Sequence, residues 1–148
     1  MKITKIKSFV VDCFRTNWVF VKVYTDEGIT GVGEGTLEYK EKALVGAIEH
    51  IESYLVGKDP RQIEKHYHDI YRDAYWRGGA VLMSALSAVE MALWDILGKS
   101  LGVPVYQLLG GKSTRIAAFI STDGLRARRS LRNLEKKRRK RSSAVSPR

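Results

Sequence analysis

Thr25-Asp26-Glu27-Gly28-Ile29-Thr30-Gly31-Val32-Gly33-Glu34 decides how this chain is read. Asp26-Glu27-Gly28 is a turn signal, because Gly28 takes positive φ at no steric cost. Just upstream, Trp18-Val19-Phe20-Val21-Lys22-Val23-Tyr24 is dense in β-branched and aromatic residues, which suit a pleated surface. Ile29 to Glu34 then folds back on it as the second arm of a hairpin. Gly31 and Gly33 weaken that arm and let another backbone come close. Residues 3–12 read as one more strand, separated by the polar segment Cys13-Phe14-Arg15-Thr16-Asn17. The opening is thus a three-stranded antiparallel meander. This context also disposes of a nucleotide loop at Gly31-Val32-Gly33-Glu34-Gly35. The dinucleotide fingerprint lies between a strand and a helix, whereas this stretch lies in a hairpin.

Beyond Gly35 the period changes. Leu44, Ala47, Ile48, Ile51, Tyr54 and Leu55 recur at helical spacing, with Gly57 as a stop. This predicts an amphipathic helix covering one face of the sheet. Asp59-Pro60 predicts the start of a second helix, an N-cap followed by proline. Ile63, Tyr67, Ile70, Tyr71 and Ala74 carry it to a stop near Arg77-Gly78-Gly79. Leu82, Ala85, Leu86, Val89, Ala92, Leu93, Ile96 and Leu97 give the stretch Val81 to Leu101 the widest apolar face, so it is expected to be the most buried helix. Gly102 and Pro104 end it, and Gln107 to Gly111 closes the globular part. The fold class is α+β, a three-stranded antiparallel meander followed by a helical bundle.

The 148 residues carry a net charge of +10, which taken whole suggests a polyanion partner. The charge is not spread evenly. Residues 1–111 are nearly neutral at −1, and residues 112–148 carry +11. Three parts follow: a folded domain over 1–111, the start of a further strand in 112–124, and a basic tail over 125–148. In the tail Lys136-Lys137-Arg138-Arg139-Lys140-Arg141 is unbroken, and such blocks stay disordered unless neutralised. No aromatic follows Phe119, so this tail offers no platform for base stacking, and the sequence argues against a nucleic-acid partner. No apolar run approaches the roughly 20 residues that span a bilayer, so no membrane partner is expected. A single cysteine, Cys13, excludes an internal disulfide framework, and the expected compartment is cytoplasmic.

Reactive constellations are sparse. Cys13 has no neighbouring histidine and reads as inert packing. His66 and His68 point about 200° apart on a helix, so they share no metal and are expected on a solvent-facing surface. Glu34 reads as a partly buried structural carboxylate, and Asp95 as the i,i+4 partner of Lys99. Trp76-Arg77-Gly78-Gly79 has two readings, a ligand-facing or interface loop and a helix C-cap with an edge aromatic.

The order of several segments resembles the enolase superfamily. They are Asn17-Trp18-Val19-Phe20-Val21-Lys22-Val23, Thr25 to Glu34, Gly57-Lys58-Asp59-Pro60-Arg61, Tyr75-Trp76-Arg77-Gly78-Gly79, Met83-Ser84-Ala85, Ala92 to Lys99, and Gly102 to Gly111. The likeness is greatest to the mandelate racemase and muconate lactonizing branch, among its galactonate and mannonate dehydratase-like members. It covers about residues 1–120. The resemblance implies that residues 1–111 are an N-terminal capping domain, which covers the mouth of a following (β/α) barrel and helps select a sugar-acid substrate. In that family the barrel holds Mg²⁺ and the bases that generate an enediolate before water is lost.

A (β/α)₈ barrel takes roughly 200–250 residues, and 37 follow Gly111. The resemblance therefore assigns no catalytic residue, metal ligand or cofactor to this chain; Mg²⁺ is implied only for the full-length family. What it carries over are substrate-facing positions of the cap: Arg15, Asn17 and Trp18 in the first loop, with Trp76 and Arg77 in a second. The expectation is a truncated acid-sugar dehydratase homologue, inactive alone, whose tail is a read-through of another frame. The alternatives are a capping-domain scaffold bearing a basic nucleic-acid-binding arm, and a subunit that pairs with a separate barrel chain or with copies of itself. Without a barrel, the helix over 81–101 should leave an apolar patch exposed.

Overall fold

The computed structural model describes residues 1–13, 16–72 and 74–111. The chain divides into units Met1–Lys112 and Ser113–Arg148. The expected strand within 112–124, the basic tail and Arg15 lie outside the described residues.

Three strands form one antiparallel sheet in the order β1 (Ile3–Val11), β2 (Trp18–Thr25), β3 (Thr30–Glu34). Gly28 makes the β2–β3 turn at φ 79°, and the register pairs Tyr24 with Thr30 and Phe20 with Glu34. Alternation along β2 buries Val19, Val21, Val23 and Thr25 on one face. Ile3 and Ile6 are three apart and would face opposite sides of a regular strand. An irregularity in the pairing between Ile3 and Lys5 puts both on the buried face.

Helix α1 (Glu41–Leu55) buries Leu44, Ile48, Ile51 and Leu55, as its spacing predicts. Its Glu52 carboxylate accepts a 2.8 Å hydrogen bond from the Ile6 N–H, which holds the helix to the outer edge of β1. The sheet is not covered by α1 alone. Helix α3 (Ala80–Leu101) lies across β3 and β2, and α1 packs against β1 and α3. The glycines of β3 are the reason. A Cβ at Gly31 would overlap the Ala92 carbonyl, and one at Gly33 the Ala88 carbonyl. At Gly35 a Cβ would stand 2.8 Å from the Ser84 carbonyl oxygen. Three glycines two apart, Gly31 and Gly33 on β3 and Gly35 just past its end, thus meet three carbonyls four apart on the helix. Backbone packs on backbone along the whole contact.

Asp95 secures this contact. Its Oδ2 accepts from the Val32 N–H at 2.9 Å and from Lys99 Nζ at 2.6 Å, and Lys99 donates to the Thr30 carbonyl at 2.7 Å. The expected helical ion pair therefore also satisfies the free edge of β3. By length and hydropathy α3 passes for a membrane span, contrary to the sequence expectation. Here it is the central helix, with Ala85, Leu86, Ala88, Val89, Ala92, Leu93, Ile96 and Gly98 buried. Gly102 ends it in the left-handed region, and α4 (Val105–Leu108) follows Pro104 as one short turn. Leu82, Met91 and Leu101 of α3 are exposed.

Helix α2 (Ile63–Tyr71) departs from its expected limits at both ends. Asp59-Pro60 does not cap it. The Asp59 carboxylate is taken by Arg61, accepting from its backbone N–H at 3.0 Å and its guanidinium at 2.7 Å, and the helix begins after that turn. The turn folds back over the first helical turn, so His66 is buried, not solvent-facing, and its Nε2 hydrogen-bonds the Asp59 carbonyl at 2.8 Å. His68 pairs with Glu64 at 3.1 Å. At the far end α2 stops at Tyr71, and Ala74–Gly79 is loop. Glu34 is a second correction: it is exposed, and it accepts from the Thr36 N–H at 3.0 Å.

Two glycines should respond with opposite sign. Gly33→Ala forces the helix off the sheet and should cost about 3 kcal/mol or more. Gly46, inside α1 with open space around it, should gain about 0.5–1 kcal/mol on substitution by alanine. Urea denaturation midpoints of the two variants check this, and equal shifts would refute the backbone contact. Asp59 gives a pH prediction. The Arg61 side chain holds its carboxyl down, from the ordinary 3.8 to about 2. A depressed carboxyl stabilises the fold above its unfolded value and loses that contribution as pH falls through the folded value. The difference in stability between the wild type and Asp59→Asn should therefore shrink between about pH 4 and pH 2. With Arg61 half exposed it should not exceed about 1 kcal/mol. Paired acid titrations of the unfolding midpoint measure it.

Candidate functional site

The ladder of glycines fixes direction. Passing from Gly31 to Gly35 along β3 means passing from Ala92 back to Ser84 along α3. The end of β3, the start of β2 and the end of β1 therefore all lie at the N-terminal end of α3. Asn17, just before β2, and the Ala74–Gly79 loop, just before α3, belong to that same end of the domain. There the Val19 N–H donates to Thr36 Oγ1 at 3.1 Å and the Gly35 N–H to the Val19 carbonyl at 3.0 Å, tying the chain after β3 to the start of β2.

A cavity of about 350 Å³ opens beside this end, between α1, α2 and α3. Ala47, Ile51, Ile70, Leu82, Met83 and Leu86 give it apolar walls. Trp76 and Arg77 line it from the loop. A shallower cleft of about 440 Å³ lies between Glu34–Thr36 and the first turns of α3, and Met83 borders both spaces. Trp76 is 80% exposed, and Arg77 Nε donates to the Ala74 carbonyl at 3.2 Å. Of the two readings of this segment, the C-cap fails, because α2 is already capped at Arg72. Gly78 and Gly79, both at positive φ, instead turn the loop into α3.

The polar lining was not anticipated. Tyr54 on α1 donates its hydroxyl to Asp69 on α2, which is also paired with Lys65 one turn earlier. These two contacts, Lys65 first and Tyr54 second, hold the Asp69 carboxyl below the usual carboxylate range. Lys58 stands over the Tyr54 ring, 2.9 Å from its centroid, and burial pushes its ammonium pKa down. Tyr54 counted in the sequence only as a member of an apolar stripe, and nothing local links it to a residue 15 positions later. The first loop divides differently. Asn17 is half-buried, while Trp18 stands on the opposite, outer face of the sheet, its ring edge-on to Phe20 at 6.0 Å.

Mg²⁺, which the resemblance implies for the whole enzyme, does not fit these residues. Among the described residues no three His, Cys, Asp or Glu side chains converge. Asp59, Asp69 and Asp95 are each already held by a cation. The arrangement can bind, orient and exclude water.

Comparison with known proteins agrees with the geometry. The family described as "Mandelate racemase / muconate lactonizing enzyme, N-terminal domain" matches residues 7–110. D-galactonate dehydratase of Xanthomonas euvesicatoria is 48% identical over 111 residues, which is 75% of this chain and 28% of that protein. The enzyme of the same name from Pectobacterium atrosepticum is 47% identical over the same shares. An enolase from Pantoea ananatis, solved with bound D-gluconate and Mg, superposes with TM-score 0.71 at 42% identity, over 75% of this chain and 27% of that one. An enolase superfamily member from Salmonella Typhimurium gives 0.72 at 38%, over 76% and 30%. The chain thus spans just over a quarter of the length of these relatives, and what it matches is their N-terminal part. A glycine-seated helix on a three-stranded meander, together with these matches, makes this chain a member of the mandelate racemase and muconate lactonizing enzyme family through its N-terminal capping domain.

Proposed function

We propose that residues 1–111 act as the substrate-capping domain of a cytoplasmic sugar-acid dehydratase of the galactonate type, and that the 148-residue chain has no lyase activity alone. The observation that carries this is the 48% identity to D-galactonate dehydratases over the folded unit. In this reading the Mg²⁺-dependent loss of water takes place on a barrel, in the same polypeptide or in a partner chain. The cap supplies binding and enclosure. Asn17 offers an amide to substrate hydroxyls, Arg77 offers a guanidinium suited to a carboxylate, and the apolar walls beside Trp76 keep water out.

A domain graft tests it. Residues 1–111 replace the matching part of the Xanthomonas D-galactonate dehydratase, and formation of the 2-keto-3-deoxy acid is followed with Mg²⁺ present. The hybrid should turn over galactonate, and Arg77→Ala within it should raise KM about tenfold with a smaller change in kcat. A folded, monodisperse hybrid without activity overturns the capping role. Mg²⁺-dependent turnover by the purified 148-residue chain overturns the division of labour.

A further inference from the structure

Among the described residues, the helices cover one face of the sheet and none covers the other. Its rows follow from the register: Val11 beside Trp18, then Phe9, Phe20 and Glu34, then Lys7, Lys22 and Val32, then Lys5, Tyr24 and Thr30. Phe9 and Trp18 are each nearly half exposed. One end of the face is thus aromatic and the other cationic. Lys5, Lys7 and Lys22 form no ion pair with any described residue, and Lys22 rests over the Tyr24 ring at 5.2 Å from the centroid. The capping role uses the loops at the end of the strands and leaves this surface unassigned.

We propose that this outer face binds single-stranded nucleic acid. An open antiparallel sheet face with protruding aromatic rings stacks unpaired bases, and flanking lysines neutralise the backbone. The sequence argued against such a partner because the basic tail has no aromatic; the sheet supplies the rings. Charge decides between occupants. A second copy meeting it face to face would bring the same three lysines to the contact, with Glu34 the lone acid in the register rows. A polyanion meets complementary charge on these lysines.

The test uses the full chain and a fluorescein-labelled oligothymidylate of about 15 nucleotides, followed by anisotropy over a salt series. Binding should quench tryptophan fluorescence. Trp18→Ala and Phe9→Ala should each weaken it about tenfold, and Trp18→Phe should retain most of it. Lys7→Gln and Lys22→Gln, which leave the packed face untouched, should each lower the salt slope by roughly 0.7. Circular dichroism confirms that each variant is folded. Unchanged affinity in all four face variants, with binding lost on deletion of residues 125–148, overturns the proposal in favour of the tail alone. Equal affinity for a duplex of the same length also overturns it. So does self-association that Trp18→Ala abolishes without oligonucleotide binding, or binding to anionic lipid vesicles with none to the oligonucleotide.

Discussion

Everything in this domain depends on how closely α3 approaches β3. Side chains on a sheet hold a helix away at the distance their volume requires. Gly31, Gly33 and Gly35 remove that spacer, and the carbonyls of Ala92, Ala88 and Ser84 occupy the room. A helix seated this low brings Asp95 within reach of the Val32 N–H and Lys99 within reach of the Thr30 carbonyl. An edge strand that would otherwise offer free backbone groups is closed by side chains from the helix that covers it. The same contact fixes the polarity of α3 relative to the strands. The loops that lead into β2, out of β3 and into α3 consequently share one end.

The consequences divide between the two faces of the sheet. On the helical face, α1 and α2 lean on α3 and leave a cavity walled by apolar side chains, with a Tyr54–Asp69–Lys65 chain along it. On the other face no helix of the described residues intervenes, and the outward residues of β1 and β2 carry aromatic and basic character at the surface. The two proposals therefore draw on different residues of one small sheet, the loops at the strand ends for capping and the open side for base stacking. The nearly neutral balance of residues 1–111 conceals this, because acids and bases cancel in the sum while the lysines of the open face form no ion pair with a described residue.

Much of this was legible in the sequence because it rests on local periods and turn chemistry. Alternation gave β2, the turn at Gly28 gave the hairpin, and helical spacing gave α1 and α3 nearly to their ends. The likeness to the capping domain followed from short segments in a fixed order. The Trp76-Arg77 segment stood out because an aromatic and a guanidinium lie beside two glycines, and it kept two readings. Where the sequence misled, the deciding partner was remote or the competition was local. Asp59 resembles an N-cap until Arg61, two residues on, claims its carboxylate. His66 resembles a surface residue until the Asp59 turn folds over it.

The sequence by itself determined the strands, the main helices and their order, since these follow from neighbouring residues and their periodicity, and the order of its segments carried the likeness to the family. Only the tertiary structure decided which helix lies on the sheet, that Tyr54 meets Asp69, and that Trp18 and Arg77 face different surfaces. Those facts depend on close approach between segments many residues apart. The chain specifies that approach through absence, by leaving a side chain out at Gly31, Gly33 and Gly35, and a missing side chain shows its purpose only once something is packed against it.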